Sequence, residues 1–129
     1  MQQGNVKCWI QNADLSSDEL GAIGLTDALR RYRAHDWNSQ LSRLRELEDS
    51  GNECCPPGMG FVVRSHYILH LCPNGDGTVT VHFHYPKPFL GFLWERQVTE
   101  TNTSLSDLKV AGLLEMLFAG RYEQIDVAA

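Results

Sequence analysis

The segment RSHYILHLCPNGDGTVTVHFHY, residues 64–85, decides the fold that the sequence predicts. Two runs of alternating apolar and polar residues flank CPNGDG, which is rich in the residue types that turns require. Alternation with a period of two is typical of a strand that has one face on a core. We therefore predict strands over 61–72 and 78–85 that pair as an antiparallel hairpin. Their apolar face comprises Phe61, Val63, Tyr67, Leu69, Leu71, Val79, Val81, Phe83 and Tyr85.

The opposite face of this hairpin carries four of the chain's five histidines, His66, His70, His82 and His84. Directly opposed residues in an antiparallel pair share a face, so opposed residue numbers must sum to an even number. A loop with an odd number of residues, or a bulge, meets this condition. We expect a turn centred on Gly75. The opposed pairs are then His66–His84, Ile68–His82 and Leu69–Val81.

The histidine face is a candidate metal site. Opposed side chains have Cβ atoms roughly 4.5–5.5 Å apart, so two imidazoles could bind one ion. The candidate ligands are His66, His70, His82 and His84, with Glu95 as a carboxylate from the neighbouring strand. The sequence lacks the CxxC and HExxH spacings that mark zinc sites more specifically. We therefore expect no cofactor, and zinc is the alternative. A solvated polar face and a partner-binding face are the other interpretations.

The segment before the hairpin predicts a short strand and two helices. The run VKCWI, residues 6–10, is expected to form the strand. Ser16 and Glu19 form a capping-box pattern, which predicts a helix start, and two glycines favour a break in that helix. A bend then precedes a second helix, for which Asp36 is the expected N-cap and Gly51 the C-terminal residue.

The segments around the hairpin complete the predicted fold. Residues 52–60, NECCPPGMG, predict a loop because prolines and glycines interrupt a regular ladder. A connection over 85–89 leads to a third strand over 90–101. Ser104 is the expected N-cap of a buried apolar helix, LKVAGLLEMLFAG. Residues 121–127 predict one more short strand.

The predicted fold class is α+β, an antiparallel β-meander of three to four strands packed on one face by two N-terminal helices and a C-terminal helix. Residues 1–129 are expected to form a single domain. No apolar run approaches the roughly 18–20 residues of a membrane span, and we see no signal-peptide pattern, so we expect a cytoplasmic location. The four cysteines are then expected to be reduced.

The acidic balance favours a function in binding. The net charge is −5, and the sequence shows no catalytic motif. Acidic charge steers a protein towards a basic partner and disfavours nucleic acid and anionic membranes. The leading hypothesis is a small protein-binding domain, such as an inhibitor or immunity-type protein that neutralises a basic partner, with catalysis less favoured. The candidate partner-binding residues are His66, His82, His84, Phe89, Leu93 and Glu95.

Two further alternatives concern other surfaces of the predicted sheet. A domain that binds a small ligand would show an apolar pocket near Tyr67, Phe83 and Trp94. An unpaired strand at the sheet edge could also pair with its own copy, which would make a homodimer.

Overall fold

The computed structural model describes residues 6–64, 66–90 and 94–128. Its strands are β1 (Val6–Gln11), β2 (Ser17–Ala22), β3 (Gly58–Val63), β4 (Tyr67–Pro73), β5 (Thr78–Phe89) and β6 (Trp94–Ser106). Its helices are α1 (Leu25–Ala34), α2 (Trp37–Asp49) and α3 (Val110–Phe118), with 3-10 turns at Asp107–Lys109 and Tyr122–Gln124. The strands form one antiparallel sheet in the order β2-β1-β3-β4-β5-β6. The α+β class is confirmed, whereas the predicted number of strands was too low.

The segment after Ser16 is strand β2, so the predicted helix start at this position is wrong. The amide of Asn12 donates to the carbonyl of Ser16 at 2.8 Å, which closes a hairpin between β1 and β2. The carboxylate of Asp14 accepts from both the amide and the hydroxyl of Ser16. The capping-box pattern is therefore used in a turn, and Leu15 takes a positive φ of 75° to complete it.

Helix α1 begins at Leu25, after the break that the two glycines favour, and α2 is the predicted second helix. The side chain of Asp36 accepts from the amide of Ser39 at 3.1 Å, which confirms Asp36 as the N-cap of α2. Gly51 follows the end of α2 with a φ of 73°, a left-handed conformation that glycine adopts without strain.

The predicted strand over 61–72 is two strands, β3 and β4, joined by a tight turn. Arg64 has a φ of 54° in this turn, and Val63 lies directly opposite Tyr67. Strand β3 also begins earlier than expected, since Gly58 and Gly60 lie within it and not in a loop. Both positions need glycine because a Cβ at Gly60 would collide with the indole of Trp9, and one at Gly58 with the β4 backbone.

The hairpin of β4 and β5 keeps the predicted faces in a shifted register. Opposed residue numbers sum to an even number, as expected, and the odd-length segment 74–78 separates the paired residues Pro73 and Val79. The register differs from the expected one by two residues. The observed pairs are Ile68–His84, Leu69–Phe83, His70–His82 and Leu71–Val81.

Strand β5 continues through the predicted connection at 85–89. Its pairing with β4 ends at His84, and Tyr85–Phe89 then pairs only with Trp94–Val98 of β6. This two-stranded extension is called the ribbon below. Ser104 lies within β6, and it is Ser106 that caps the following 3-10 turn. The strand predicted over 121–127 is replaced by the second 3-10 turn.

Helix α3 lies against one face of the sheet and supplies the centre of the core. Leu114 and Leu117 are fully buried, and α1 adds Ala28 and Tyr32. Helix α2 reaches this core through the partly buried Trp37. The facing strand residues include Val6, Cys8, Met59, Phe61, Val63, Leu69, Leu71, Val81 and Phe83. Within the described ranges, no helix reaches the length and hydrophobicity that a membrane crossing requires.

Candidate functional site

The histidine face is the side of the sheet that faces away from α3. Trp9, Gly60, His70 and His82 lie side by side on it, from β1 to β5. The rings of Trp9 and His70 are nearly parallel with centroids 6.2 Å apart, and those of His70 and His82 are 6.3 Å apart. Trp9 reaches His70 across the intervening strand because Gly60 has no side chain. This face is therefore a row of packed rings.

The Nδ1 atoms of His70, His82 and His84 make contacts within the sheet, whereas His70 Nε2 is buried without a hydrogen-bond partner among the described residues. His82 Nδ1 lies 3.1 Å from the hydroxyl of Thr101, and His84 Nδ1 lies 2.7 Å from that of Thr99. His70 Nδ1 faces the Cys72 sulfur at 3.6 Å. Burial, followed by the nearby His82 and His84, lowers the pKa of His70. Its surroundings therefore favour the neutral imidazole.

The predicted pairing of His66 with His84 is wrong. His66 lies in the exposed turn before β4, and its carbonyl accepts from the side-chain amide of Gln97 at 2.7 Å. In the part of the chain that the structure describes, no group of three or more His, Cys, Asp or Glu side chains is arranged to hold a metal ion. The arrangement that motivated the zinc alternative is thus not formed, and the structure brings together only His70 and His82 as a directly opposed pair.

Two of the predicted partner-binding residues beyond the histidines, Phe89 and Glu95, belong to the ribbon. Glu95 is exposed and pairs with Pro88. Phe89 ends β5 opposite Trp94, while Leu93 lies outside the described residues. Two large apolar side chains of this region are open to solvent, Leu90 at 60% and Trp94 at 59% exposure. The predicted face therefore divides between the sheet and the ribbon.

The cysteines are all free thiols. Burial raises the pKa of Cys8 to about 12 and that of Cys72 to about 11. Cys55 and Cys72 line a cleft of about 350 Å³ beside His70 on the histidine face. The thiolate is the reactive form of cysteine, so the raised pKa values make Cys8 and Cys72 poor nucleophiles at neutral pH.

A second cleft, of about 360 Å³, lies where α1 meets α2. The hydroxyl of Tyr32 donates to the carboxylate of Asp107 at 3.0 Å, and burial and then that carboxylate raise the pKa of Tyr32. The carboxylate of Asp36 is occupied in capping α2. Both acidic groups of this cleft thus have structural partners.

A third cleft combines three tyrosines with two carboxylates. It has a volume of about 300 Å³ and lies on the α3 side of the sheet, where the ribbon leaves it. We call it the tyrosine groove, and it is defined by Tyr67, Tyr85, Glu100, Tyr122 and Glu123. The side chains of Phe83, Lys87 and Ile125 and two prolines of the ribbon complete its walls.

Three separate elements position the tyrosines. Tyr67 is the first residue of β4, and its ring stacks on that of Tyr122 with centroids 4.1 Å apart. Tyr85 follows Phe83 on the same face of β5, and their rings stack at 5.1 Å. The hydroxyl of Tyr85 donates to Glu100 Oε2 at 2.6 Å, and this hydrogen bond raises the pKa of Tyr85. The Tyr85 hydroxyl therefore fixes the position of the Glu100 carboxylate in the groove.

The sequence contained only part of the signal for this groove. Alternation placed Tyr67 and Tyr85 on the core face, and the ligand-binding alternative placed a pocket near Tyr67 and Phe83. Both residues line the groove, whereas Trp94 does not. The sequence does not place Tyr122 in this groove, because residues 121–127 predict a strand. The available sequence signal was Gly120, a helix-ending residue. It takes a φ of 78° after α3, where the chain turns back.

Comparison of the chain with protein-family models, with curated proteins and with solved structures found no match.

Proposed function

We propose that the protein is a binding module that recognises a basic segment of another protein, and that the tyrosine groove takes a lysine or arginine side chain of that segment. One observation carries the proposal. Stacked tyrosine rings and the carboxylates of Glu100 and Glu123 line the same open cleft.

Aromatic rings are the first source of affinity. A cation within about 6 Å of a ring centroid is attracted to the ring face by about 0.5–1 kcal/mol at an exposed site. Tyr67 and Tyr122 are half-buried, and their mutual stacking fixes the orientation of both rings. The rings therefore need little ordering when a side chain enters, which reduces the entropic cost of binding.

Carboxylates are the second source of affinity. The hydrogen bond from the Tyr85 hydroxyl engages Glu100 Oε2, which leaves Oε1 as the oxygen that a cation would contact. Glu123 is exposed, follows Tyr122 in the chain and also lines the groove. A guanidinium or ammonium placed in the groove would contact rings and carboxylates together. Hydrogen bonds with a charged group are stronger than neutral ones, which favours a cation over a neutral guest.

The dimensions of the groove favour a single side chain. Its volume of about 300 Å³ is at the lower end of the range for ligand pockets, about 300–1,000 Å³. The net charge of −5 would guide a basic partner to the surface. In an inhibitor or immunity-type role, the inserted side chain would belong to the active surface of a basic protein.

Two matched peptides test the proposal. One is a glycine-serine peptide with a single central arginine, and the other carries citrulline, which keeps the shape of arginine without its charge. Titration of each peptide is followed through the NMR signals of the Tyr67, Tyr85 and Tyr122 rings. We expect the arginine peptide alone to shift these signals, and Glu123→Gln to weaken the effect.

The control variant is Glu115→Gln, which removes an exposed carboxylate on α3 outside the groove. It should bind the arginine peptide as the unaltered protein does. Equal shifts with both peptides, or unchanged tyrosine signals with either, would contradict the proposal.

A further inference from the structure

Strand β6 is a long strand at one edge of the sheet. It has 13 residues, WERQVTETNTSLS, and includes neither proline nor lysine. No strand pairs with its outer side in the portions of the chain that the structure describes. The other edge strand, β2, is only six residues long, carries exposed Asp18 and Glu19, and has Gly21 at a φ of 72°. Natural sheets protect their edges with proline, lysine, other charges and bulges. The bulge of β6 against β5 lies beyond Asn102, so residues 94–102 pair with β5 in regular register, and their charges are Glu95, Arg96 and Glu100.

The residues along β6 are arranged symmetrically about Val98. Arg96 precedes Val98 by two positions and Glu100 follows it by two. These three residues lie on one face, because they oppose Lys87, Tyr85 and Phe83 of β5 in a continuous register. A basic, an apolar and an acidic residue therefore follow one another on the α3 side of the edge.

We propose that a second copy of this chain adds to the β6 edge, with the two β6 strands antiparallel and the two-fold axis at Val98. This register places Arg96 opposite Glu100 of the second copy, and Glu100 opposite Arg96 of the second copy. Opposite charges that face each other directly stabilise a strand pair. The two sheets become one continuous sheet, and the contact is isologous, as a two-fold axis requires.

Charge and face together select this register. A two-fold axis at position 96 would oppose two arginines, and one at position 100 would oppose two glutamates. Axes at 97 or 99 keep the faces aligned but form no pair of opposite charges. On the outer face, the chosen register sets Glu95 against Thr101 and Gln97 against Thr99, so it opposes no like charges anywhere along 94–102.

The proposed dimer does not rest on the proposed function, although both use Glu100. The bond from Tyr85 engages Glu100 Oε2, so the second oxygen of this carboxylate is the one that Arg96 of the second copy approaches. A basic partner held by the same carboxylate competes with the dimer, and each event lowers the apparent affinity of the other by mass action.

A charge exchange tests the register. Sedimentation velocity of the full chain over a range of concentrations should show a monomer–dimer equilibrium. Arg96→Glu and Glu100→Arg should each raise the dimer dissociation constant about tenfold or more, since like charges then oppose each other twice. The double variant Arg96→Glu, Glu100→Arg restores both attractive pairs and should return the dissociation constant towards its original value.

Two control variants separate loss of the β6 contact from other effects of a charge change. Glu95→Arg faces Thr101 on the outer face and should leave the dimer intact. Glu123→Gln alters the tyrosine groove but not the edge, so it should keep the dimer even if groove binding fails. Circular dichroism establishes that each variant is folded. A chain that stays monomeric at every concentration overturns the proposal, and so does a folded double variant whose dimer is not restored.

Discussion

The rings of Tyr67 and Tyr122 stack with centroids 4.1 Å apart and planes 20° apart, which ties the segment after α3 to the start of β4. Both rings are half-buried and pack against the edge of the hydrophobic core. Their contact forms one wall of the tyrosine groove and also closes the end of the domain. We therefore expect stability and the proposed binding to be coupled at this pair.

Tyr122→Ala should lower both stability and binding of the arginine peptide. An aromatic pair contributes about 0.5–1.5 kcal/mol beyond its buried area, so we expect unfolding in urea at a lower concentration. Tyr122→Phe keeps the ring and should retain most of the stability. If Tyr122→Ala leaves the urea midpoint and the peptide affinity unchanged, the stacking has neither role.

Lys87→Ala should strengthen binding of the arginine peptide. Lys87 lines the groove on the same face as Tyr85, and its positive charge opposes the entry of a second cation. Removing a like charge near an exposed site should raise affinity by a few-fold, and the gain should shrink as salt is added. Calorimetry at two salt concentrations measures this. A loss of affinity for the arginine peptide would show instead that Lys87 helps to bind it.

His70 should make the protein less stable in mild acid. Burial and the neighbouring histidines lower its folded-state pKa below the ordinary value of 6.5. The unfolded chain then binds more protons than the folded chain, so the free energy of unfolding falls as pH drops through 6.5 towards the folded-state pKa. Above 6.5 both states hold neutral His70, and its contribution is fully present.

The measurement compares urea unfolding at neutral pH and at about pH 5 for the unaltered protein and His70→Phe. The variant keeps a ring beside Trp9 but cannot be protonated, so its loss of stability between the two pH values should be smaller. His66→Phe, in the exposed turn, serves as the control. An identical loss in all three proteins would show that His70 does not carry the effect.

Gly60→Ala should destabilise the sheet by about 1–3 kcal/mol. A Cβ at this position would overlap the indole of Trp9, which must then leave its place against His70. Gly112→Ala is a matched control, because Gly112 lies in α3 with open space around the added atom. In a helix this change should stabilise by about 1 kcal/mol. Similar thermal shifts of the same sign in both variants would contradict the role assigned to Gly60.

The sequence predicted those parts of the fold that depend on local periodicity. The two faces of the β4–β5 hairpin followed from alternation, and the bend at Asp36 followed from its capping chemistry. Alternation did not predict the register of this hairpin, because several alignments give even sums of opposed residue numbers. Packing selects the alignment that sets Leu69 opposite Phe83. Ser16 misled because the same hydroxyl chemistry serves a helix cap and a turn.

The candidate site was less predictable than the fold. The tyrosine groove joins the start of β4, the middle of β5 and a 3-10 turn, which are distant along the chain. No spacing rule links Tyr67, Tyr85 and Tyr122, so their proximity emerges only when α3 packs on the sheet. The histidines, which are close in sequence, attracted attention because their spacing is visible without a fold.

The ribbon has a consequence for how the molecule opens. Each strand in the middle of the sheet pairs with neighbours on both sides, whereas in the described chain Tyr85–Phe89 and Trp94–Val98 form strand pairs only with each other. A two-stranded hairpin alone is marginally stable in water, so the described ribbon amides should exchange with deuterium sooner than those of β3 and β4. Opening of the ribbon would remove Tyr85 from the groove and Val98 from the edge together. Any ligand held at either place must then slow that exchange, which makes the ribbon amides a common reporter of occupancy.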